Sequence, residues 1–300
     1  MAPQWYGHDR GLKARMGLTM LGLGALYVVF MSVIIAAGAS AAVVLVIAAV
    51  IMVFQLLFSD RMALASMGAR EVDAAEAPQV HAIIDRLCQL ADIPKPRIAL
   101  ADTDMPNAFA TGRSRKSATV CVTSGLLRRL EPAELEGVLA HELTHVVNRD
   151  VVVMTVASFL ATVAGLLIRM SAWGRVGGGR DNTAVVFLAV VGVSIVTYAV
   201  SFVLLRTLSR YREFAADRGA AILTGAPSQL ASALTKLSDG MARIPMRDLR
   251  SAEAMNAFFI MPAVAKGFSL SSLFATHPPI ERRIERLMAL QAQLDARMPV

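Results

Sequence analysis

The sequence predicts a mainly helical membrane protein that carries a small α+β domain built around one histidine-bearing helix. Three observations predict it. Hydrophobic residues make up 55% of the chain and charged residues only 18%, with a mean hydropathy of +0.54, a balance outside the range of ordinary soluble domains. The apolar residues gather into four runs, Met16 to Ala37, Ala41 to Phe58, Val151 to Ile168 and Thr183 to Leu205, each long enough to cross a bilayer as a helix. Between and after these pairs the chain becomes polar and shows amphipathic periods and short strand-like stretches.

The runs divide the chain into four segments. Residues 1–58 form an N-terminal membrane hairpin, 59–150 the first part of a water-exposed domain, 151–205 a second hairpin, and 206–300 the second part of that domain. A signal peptide is a poor alternative for the first run, because it is long and a second run follows after only Gly38-Ala39-Ser40. The net charge of +7 comes mostly from arginine. Arg10, Lys13, Arg15, Arg61 and Arg70 all lie on the near side of the first hairpin, which identifies that side as the cytoplasm. Basic residues flanking spans explain the charge without nucleic acid, for which there is no motif. Arg169, Arg175 and Arg180 fall on the far side of the second hairpin, against the positive-inside rule, so true spans and a partly inserted hairpin both stand, with spans favoured. Cys88 and Cys121 are isolated and suggest neither a disulfide framework nor a thiolate metal site.

In the first water-exposed segment, Val80, Ile83, Ile84, Leu87 and Leu90 share a face of a helix over 77–91, closed by Pro94 and Pro96. Arg97 to Ala101 reads as a strand. Asn107 to Thr111 and Ser117 to Thr123 read as two more, joined by the polar loop from Gly112 to Lys116. The outer edge of such a sheet, at Asn107, Ala108, Phe109 and Ala110, could hold an extended peptide through backbone hydrogen bonds, or the hairpin could be scaffold alone.

The next stretch carries the chemistry. Pro132 suits a first helical position, and Glu134 and Glu136 suit the positive end of the helix dipole. One turn further on, His141-Glu142-Leu143-Thr144-His145 places two imidazoles on one helix face, where both can reach one metal ion, with a carboxylate beside them to take a proton from water. A chance match is the competing reading, but it would usually lack a helical context and a third ligand. Asn148 and Val151 stand where the longer metzincin pattern needs Gly and His, so the third ligand must come from elsewhere. Glu213, on a helix over Tyr211 to Arg218, is chosen, with Asp217 one turn on as acceptor for the free N–H of a ligating histidine. Without the histidine pair both acids would read as a solvated face. If both runs of the second hairpin span, His145 and Glu213 return to the same membrane face.

These residues resemble a family. His141-Glu142-x-x-His145, Glu213-Phe-Ala-Ala-Asp217, Asn107-Ala-Phe-Ala-Thr-Gly112 and Thr276-His277-Pro278-Pro279, together with the hydrophobic layout, are similar to the HtpX membrane metalloproteases, relatives of the CAAX prenyl endopeptidases. The resemblance implies a zincin-like catalytic domain and one zinc ion per chain, held by His141, His145 and Glu213, with Glu142 as general base and acid. It implies that His277 approaches the cleft and stabilises the tetrahedral intermediate; from the residues alone, His277 reads as structural, beside two prolines. It also implies a multi-pass protein of the bacterial inner membrane, its site facing the cytoplasm, that cleaves misfolded or damaged membrane proteins in stress-related quality control. Lipid and other quality-control proteases are its expected partners.

Other readings remain at this point: an intramembrane protease, a prenyl-peptide endopeptidase, and a scaffold in which zinc is structural. Glu131, Glu134, Glu136, Asn148, Arg149 and Asp150 around the helix argue against burial in lipid. The carboxylate of Glu142 argues against a purely structural metal. Of the remainder, Ser228 to Leu237 reads as helix, Met241 to Phe274 lacks clean periodicity and is open to two readings, a cover for the cleft or a contact with the bilayer, and Ile280, Ile284, Leu287 and Leu294 make an amphipathic C-terminal helix.

Overall fold

Four long helices carry most of the apolar sequence in the computed structural model, which describes residues 10–38, 40–173, 181–242 and 278–296. They are α1 (Arg10–Ala36), α2 (Ala41–Ser66), α6 (Asp150–Trp173) and α7 (Asp181–Thr224). Each contains a stretch long and apolar enough to cross a membrane, with mean hydropathy between 2.3 and 2.8. Of the stretch Met241 to Phe274 all but Met241 and Ala242, together with His277, Arg175 and Arg180, lie outside the described residues.

The described residues form two compact units, one from 10–57 and 153–208, the other from 58–152 and from 209 onward. In the first, Leu23, Ala157 and Leu208 make one buried cluster and Phe30, Leu160 and Ala164 another. Tyr27 and Phe159 stack with ring centroids 5.8 Å apart. Gln55 Nε2 donates to Thr162 Oγ1 at 2.9 Å, satisfying a polar group that hydrocarbon could not. The outer face is apolar, with Leu18, Val46 and Leu188 all exposed, as a lipid-facing surface requires.

The second unit is α+β. Its four-stranded sheet has the order β1-β2-β4-β3, where β1 is Arg70–Glu71, β2 Arg97–Ala101, β3 Ala108–Thr111 and β4 Thr119–Thr123. β2 and β4 run parallel, while β3 and β4 form the expected hairpin with Ala110 opposite Val120. β1 is too short to show any period in the sequence, and pairing with β2 alone makes it a strand. Alternation along β4 sends Val120 and Val122 to the main core and Cys121 to a smaller cluster with Ala99, Phe109 and Ala63. The main core joins the sheet to α3 (Pro78–Ala91), α5 (Pro132–Asn148), α8 (Pro227–Ala242) and α9 (Ile280–Asp295), through Ile84, Leu87, Leu139, Leu143, Leu234 and Leu287. A single-turn helix α4 (Ser124–Leu127) follows β4, its first turn capped by the Thr123 side chain.

Helix α5 is fixed at both ends. At its start Glu134 turns back to accept from the Glu131 backbone N–H at 2.9 Å, and also receives Ser232 Oγ (2.6 Å) and Lys236 Nζ (2.8 Å) from α8. Glu134 is therefore buried in protein with three partners, where the sequence reading placed it for its effect on the dipole. At its end Arg149 takes a left-handed conformation (φ 56°), and Arg115 from the β3–β4 loop donates to the Val147 carbonyl. Along its length the helix is approached closely by glycine: a Cβ at Gly219 would meet Thr144 Cγ2 at 2.4 Å.

One helix is longer than expected. The apolar run ending at Leu205 and the helix at Tyr211 to Arg218 are parts of a single 44-residue α7. Arg206-Thr-Leu-Ser-Arg210 contains neither glycine nor proline, so nothing interrupts the backbone hydrogen bonding between them.

Candidate metal centre

The 3.6-residue period of α5 brings His141 and His145 onto one face, and both are buried. Their Nε2 atoms lie 3.1 Å apart, with the rings edge to face. Glu213, on α7, brings one carboxylate oxygen to 3.5 Å from His141 Nε2 and the other to 3.5 Å from His145 Nε2. Each of the three side chains offers one ligand atom, and these atoms lie within 4.8 Å of one another.

What holds the histidines decides what their facing nitrogens can do. His141 Nδ1 is 3.0 Å from Asp217 Oδ1, and His145 Nδ1 is 2.6 Å from Asp150 Oδ2. With each Nδ1–H donated to a carboxylate, both Nε2 lone pairs point at the same small space. Two lone pairs and a carboxylate that converge in this way repel one another unless a cation lies between them. Bonds of about 2.0–2.2 Å to a tetrahedral zinc put donor atoms roughly 3.3–3.6 Å apart, which matches the two 3.5 Å contacts of Glu213, while the Nε2 pair at 3.1 Å is slightly closer.

Charge agrees with geometry. Asp150 pairs with Arg212 Nε at 3.0 Å, and Arg283 forks onto Asp217 with Nε–Oδ2 at 2.9 Å and Nη2–Oδ1 at 2.6 Å. Four buried carboxylates, those of Glu142, Asp150, Glu213 and Asp217, thus face two guanidiniums. One divalent cation restores neutrality. Metal-free, protons do so instead. Burial disfavours a charged imidazole, but Asp150 and Glu213 outweigh it and push His145 up to about 10. His141 is raised in the same way: burial opposes the charge, and Asp217 and Glu213 prevail.

Glu142 is 4% exposed, and its carboxylate is hydrogen-bonded by the Ala110 backbone of β3 while standing close enough to His141, His145 and Glu213 to feel their charges. Burial raises its pKa, and the two histidines pull it partly back. A carboxyl so placed is poised as a proton acceptor nearer neutrality than a solvated one. A cleft lined by Ala110, Gly112, His145 and Arg149 opens beside His145. Of the predicted substrate strand, Asn107, Ala108 and Phe109 are buried in the sheet, with Asn107 N accepted by Thr123 Oγ1, and Ala110 alone is half-exposed. Both cysteines are free and buried, and burial pushes the Cys88 thiol up to about 11 and the Cys121 thiol up to about 12, which makes both inert.

Three residues that the structure brings to the site escaped the sequence reading: Asp150, Arg212 and Arg283. Asp150 was noted only as a charge near the helix. Arg283 did leave a signal, because it falls inside the apolar stripe of α9 between Ile280 and Leu287.

Comparison with known proteins agrees with this site. Residues 74–291 match the model of peptidase family M48. The Protease HtpX homolog of Moorella thermoacetica is 56% identical over 298 residues, covering 97% of this chain and 98% of that one. Protease HtpX homolog 1 of Streptomyces coelicolor is 53% identical over 288 residues, 95% of each chain. Protease HtpX homolog 2 of Methanosarcina mazei is 50% identical, covering 95% of this chain and 97% of that one. The crystal structure of S. mikatae Ste24p superposes with a TM-score of 0.52 at 16% identity, over 92% of this chain and 66% of that one, a likeness of fold.

Proposed function

The chain belongs to peptidase family M48 as an HtpX-type membrane zinc metalloprotease, and from that premise we propose that it hydrolyses misfolded or damaged membrane proteins at the cytoplasmic face of the bacterial inner membrane. The observation that carries the chemistry is the convergence of His141 Nε2, His145 Nε2 and Glu213 on one point, with Glu142 directed at the β3 edge beside it. His141, His145 and Glu213 would hold the zinc. When bound, zinc supplies a Lewis acid that polarises the scissile carbonyl and acidifies a coordinated water.

The chain's own residues do the rest. Glu142 accepts the proton of the attacking water and hands it to the departing amine. The open edge of β3, reached at Ala110, pairs with an extended substrate backbone through main-chain hydrogen bonds, which leaves side-chain sequence little constrained. That tolerance suits damaged substrates, whose common feature is exposed, extended chain. By the family resemblance, His277 assists the oxyanion. The cytoplasmic orientation is supported by Arg10, Lys13, Arg15, Arg61 and Arg70 on one side of the first hairpin. Helix α5, which carries both histidines, is not among the four apolar helices, which speaks against an intramembrane protease. Membership of a peptidase family sets aside the reading of a metal-bound scaffold.

The test is cleavage of a destabilised membrane protein in membrane vesicles of known sidedness, beside a prenylated peptide. Zinc-dependent cleavage only where the cytoplasmic face is exposed supports the proposal. Cleavage from the opposite face contradicts the orientation, and a strong preference for the prenylated peptide contradicts the substrate class.

A further inference from the structure

We propose that Arg283 is a positioning residue of the metal centre, whose guanidinium fork holds together the third ligand and the carboxylate that orients His141. The proposal rests on the His141–His145–Glu213 zinc reading and adds to it a residue from the C-terminal helix. Arg283 is 0% exposed. Its Nε and Nη2 donate to the two oxygens of Asp217 at 2.9 and 2.6 Å, and its Nη1 lies 3.4 Å from Glu213 Oε2. Nη2 is also 3.4 Å from His141 Nδ1. One planar group therefore meets both acids of the Glu213–Asp217 turn and the ring that one of them orients.

A buried guanidinium is costly and is not needed for the packing of this helix. Ile280, Ile284 and Leu287 supply the apolar face of α9 toward the core. The position is better explained by the turn it grips. Glu213 and Asp217 stand one helical turn apart, both buried, and like charges at that spacing repel. A guanidinium that forks onto Asp217 and reaches Glu213 with its third nitrogen offsets that repulsion, a geometry the point charge of a lysine cannot reproduce. Arg286, on the same helix, lies with its guanidinium 4.2 Å above the Phe214 ring, so α9 grips this stretch of α7 at adjacent residues. Helix α9 thereby fastens the ligand-bearing turn from 66 residues away in sequence.

The experiment measures the rate at which zinc passes from purified, detergent-solubilised protein to an excess of a chromophoric chelator. Arg283→Met and Arg283→Lys are both expected to release zinc at least about tenfold faster than the parent, the usual scale for losing a partner of a ligating residue. Asp217→Asn should act similarly, and combining it with Arg283→Met should add little, because both changes break one linkage. Leu287→Ala serves as the structural control: it should lower the melting temperature and leave the release rate of folded protein unchanged. If Arg283→Met does not fold, Arg283→Lys decides. Parental release from folded Arg283→Met or from Arg283→Lys overturns the proposal, as do additive effects with Asp217→Asn or equal acceleration by Leu287→Ala. A parent that binds no zinc would instead contradict the metal reading beneath it.

Discussion

His145 Nδ1 lies 2.6 Å from a carboxylate oxygen of Asp150, the residue that opens the next helix. A single left-handed residue, Arg149, separates α5 from α6 and turns the chain sharply enough to bring a side chain five positions on back to the ligand. Asp150 is 2% exposed and is itself paired to Arg212, the neighbour of Glu213. The second histidine thus has the same kind of support as the first, a carboxylate backed by an arginine, built from a turn instead of a helix period.

Replacing Asp150 with Asn should therefore weaken zinc binding by roughly 10–100-fold, because the amide neither accepts as strongly nor enforces the Nδ1–H tautomer. Competition with a chelator of known affinity measures it. An unchanged affinity in folded Asp150→Asn would show that the contact is incidental.

Metal uptake should expel protons. Because Asp150 and Glu213 hold His145 at about 10 against the opposing effect of burial, and His141 is also raised, the metal-free site at neutral pH carries protons that zinc must displace. The sign follows: affinity rises with pH and falls as acid refills the imidazoles. Calorimetry in buffers of different ionisation enthalpy should report at least about one proton released per zinc at pH 7.

Glu134 gives the fold a separate acid sensitivity. Burial alone would raise its pKa, but hydrogen bonds from Lys236 and Ser232 and from the Glu131 backbone bring it below the ordinary value. A depressed carboxyl contributes stability above its unfolded pKa, about 4.3, and loses it as pH falls through the folded value. Glu134→Gln should cost about 1–3 kcal/mol at pH 7 by weakening charge-assisted bonds between α5 and α8. The gap between the parent and variant thermal midpoints should close as the pH is taken below that range.

How far the sequence could be read follows from how local each signal is. The four apolar runs and His141-Glu142-x-x-His145 were legible because length and the 3.6 period are properties of single helices. Glu213 and Asp217 were legible as a pair one turn apart once the histidines demanded a partner. Asp150 was not, because its role depends on the backbone angle of Arg149 and not on any spacing rule. Arg283 was visible only as a charge within an apolar stripe, and nothing local said which buried acid it met. Glu134 was placed at the right helix end but its partners on α8 are about a hundred residues away. The joining of the fourth apolar run to the Glu213 helix could have been inferred from the absence of glycine and proline between Leu205 and Tyr211.

The most direct measurement is cleavage of an unfolded protein such as casein by purified protein, with zinc content determined in parallel for the parent and for Glu142→Gln. The parent should cleave, lose activity to a chelator and regain it with zinc. Glu142→Gln should keep its zinc, since Glu142 is not one of the three converging ligand side chains, yet lose turnover by roughly 10²–10⁴-fold. Near-parental cleavage by zinc-loaded Glu142→Gln, or cleavage that no chelator touches, would contradict the account.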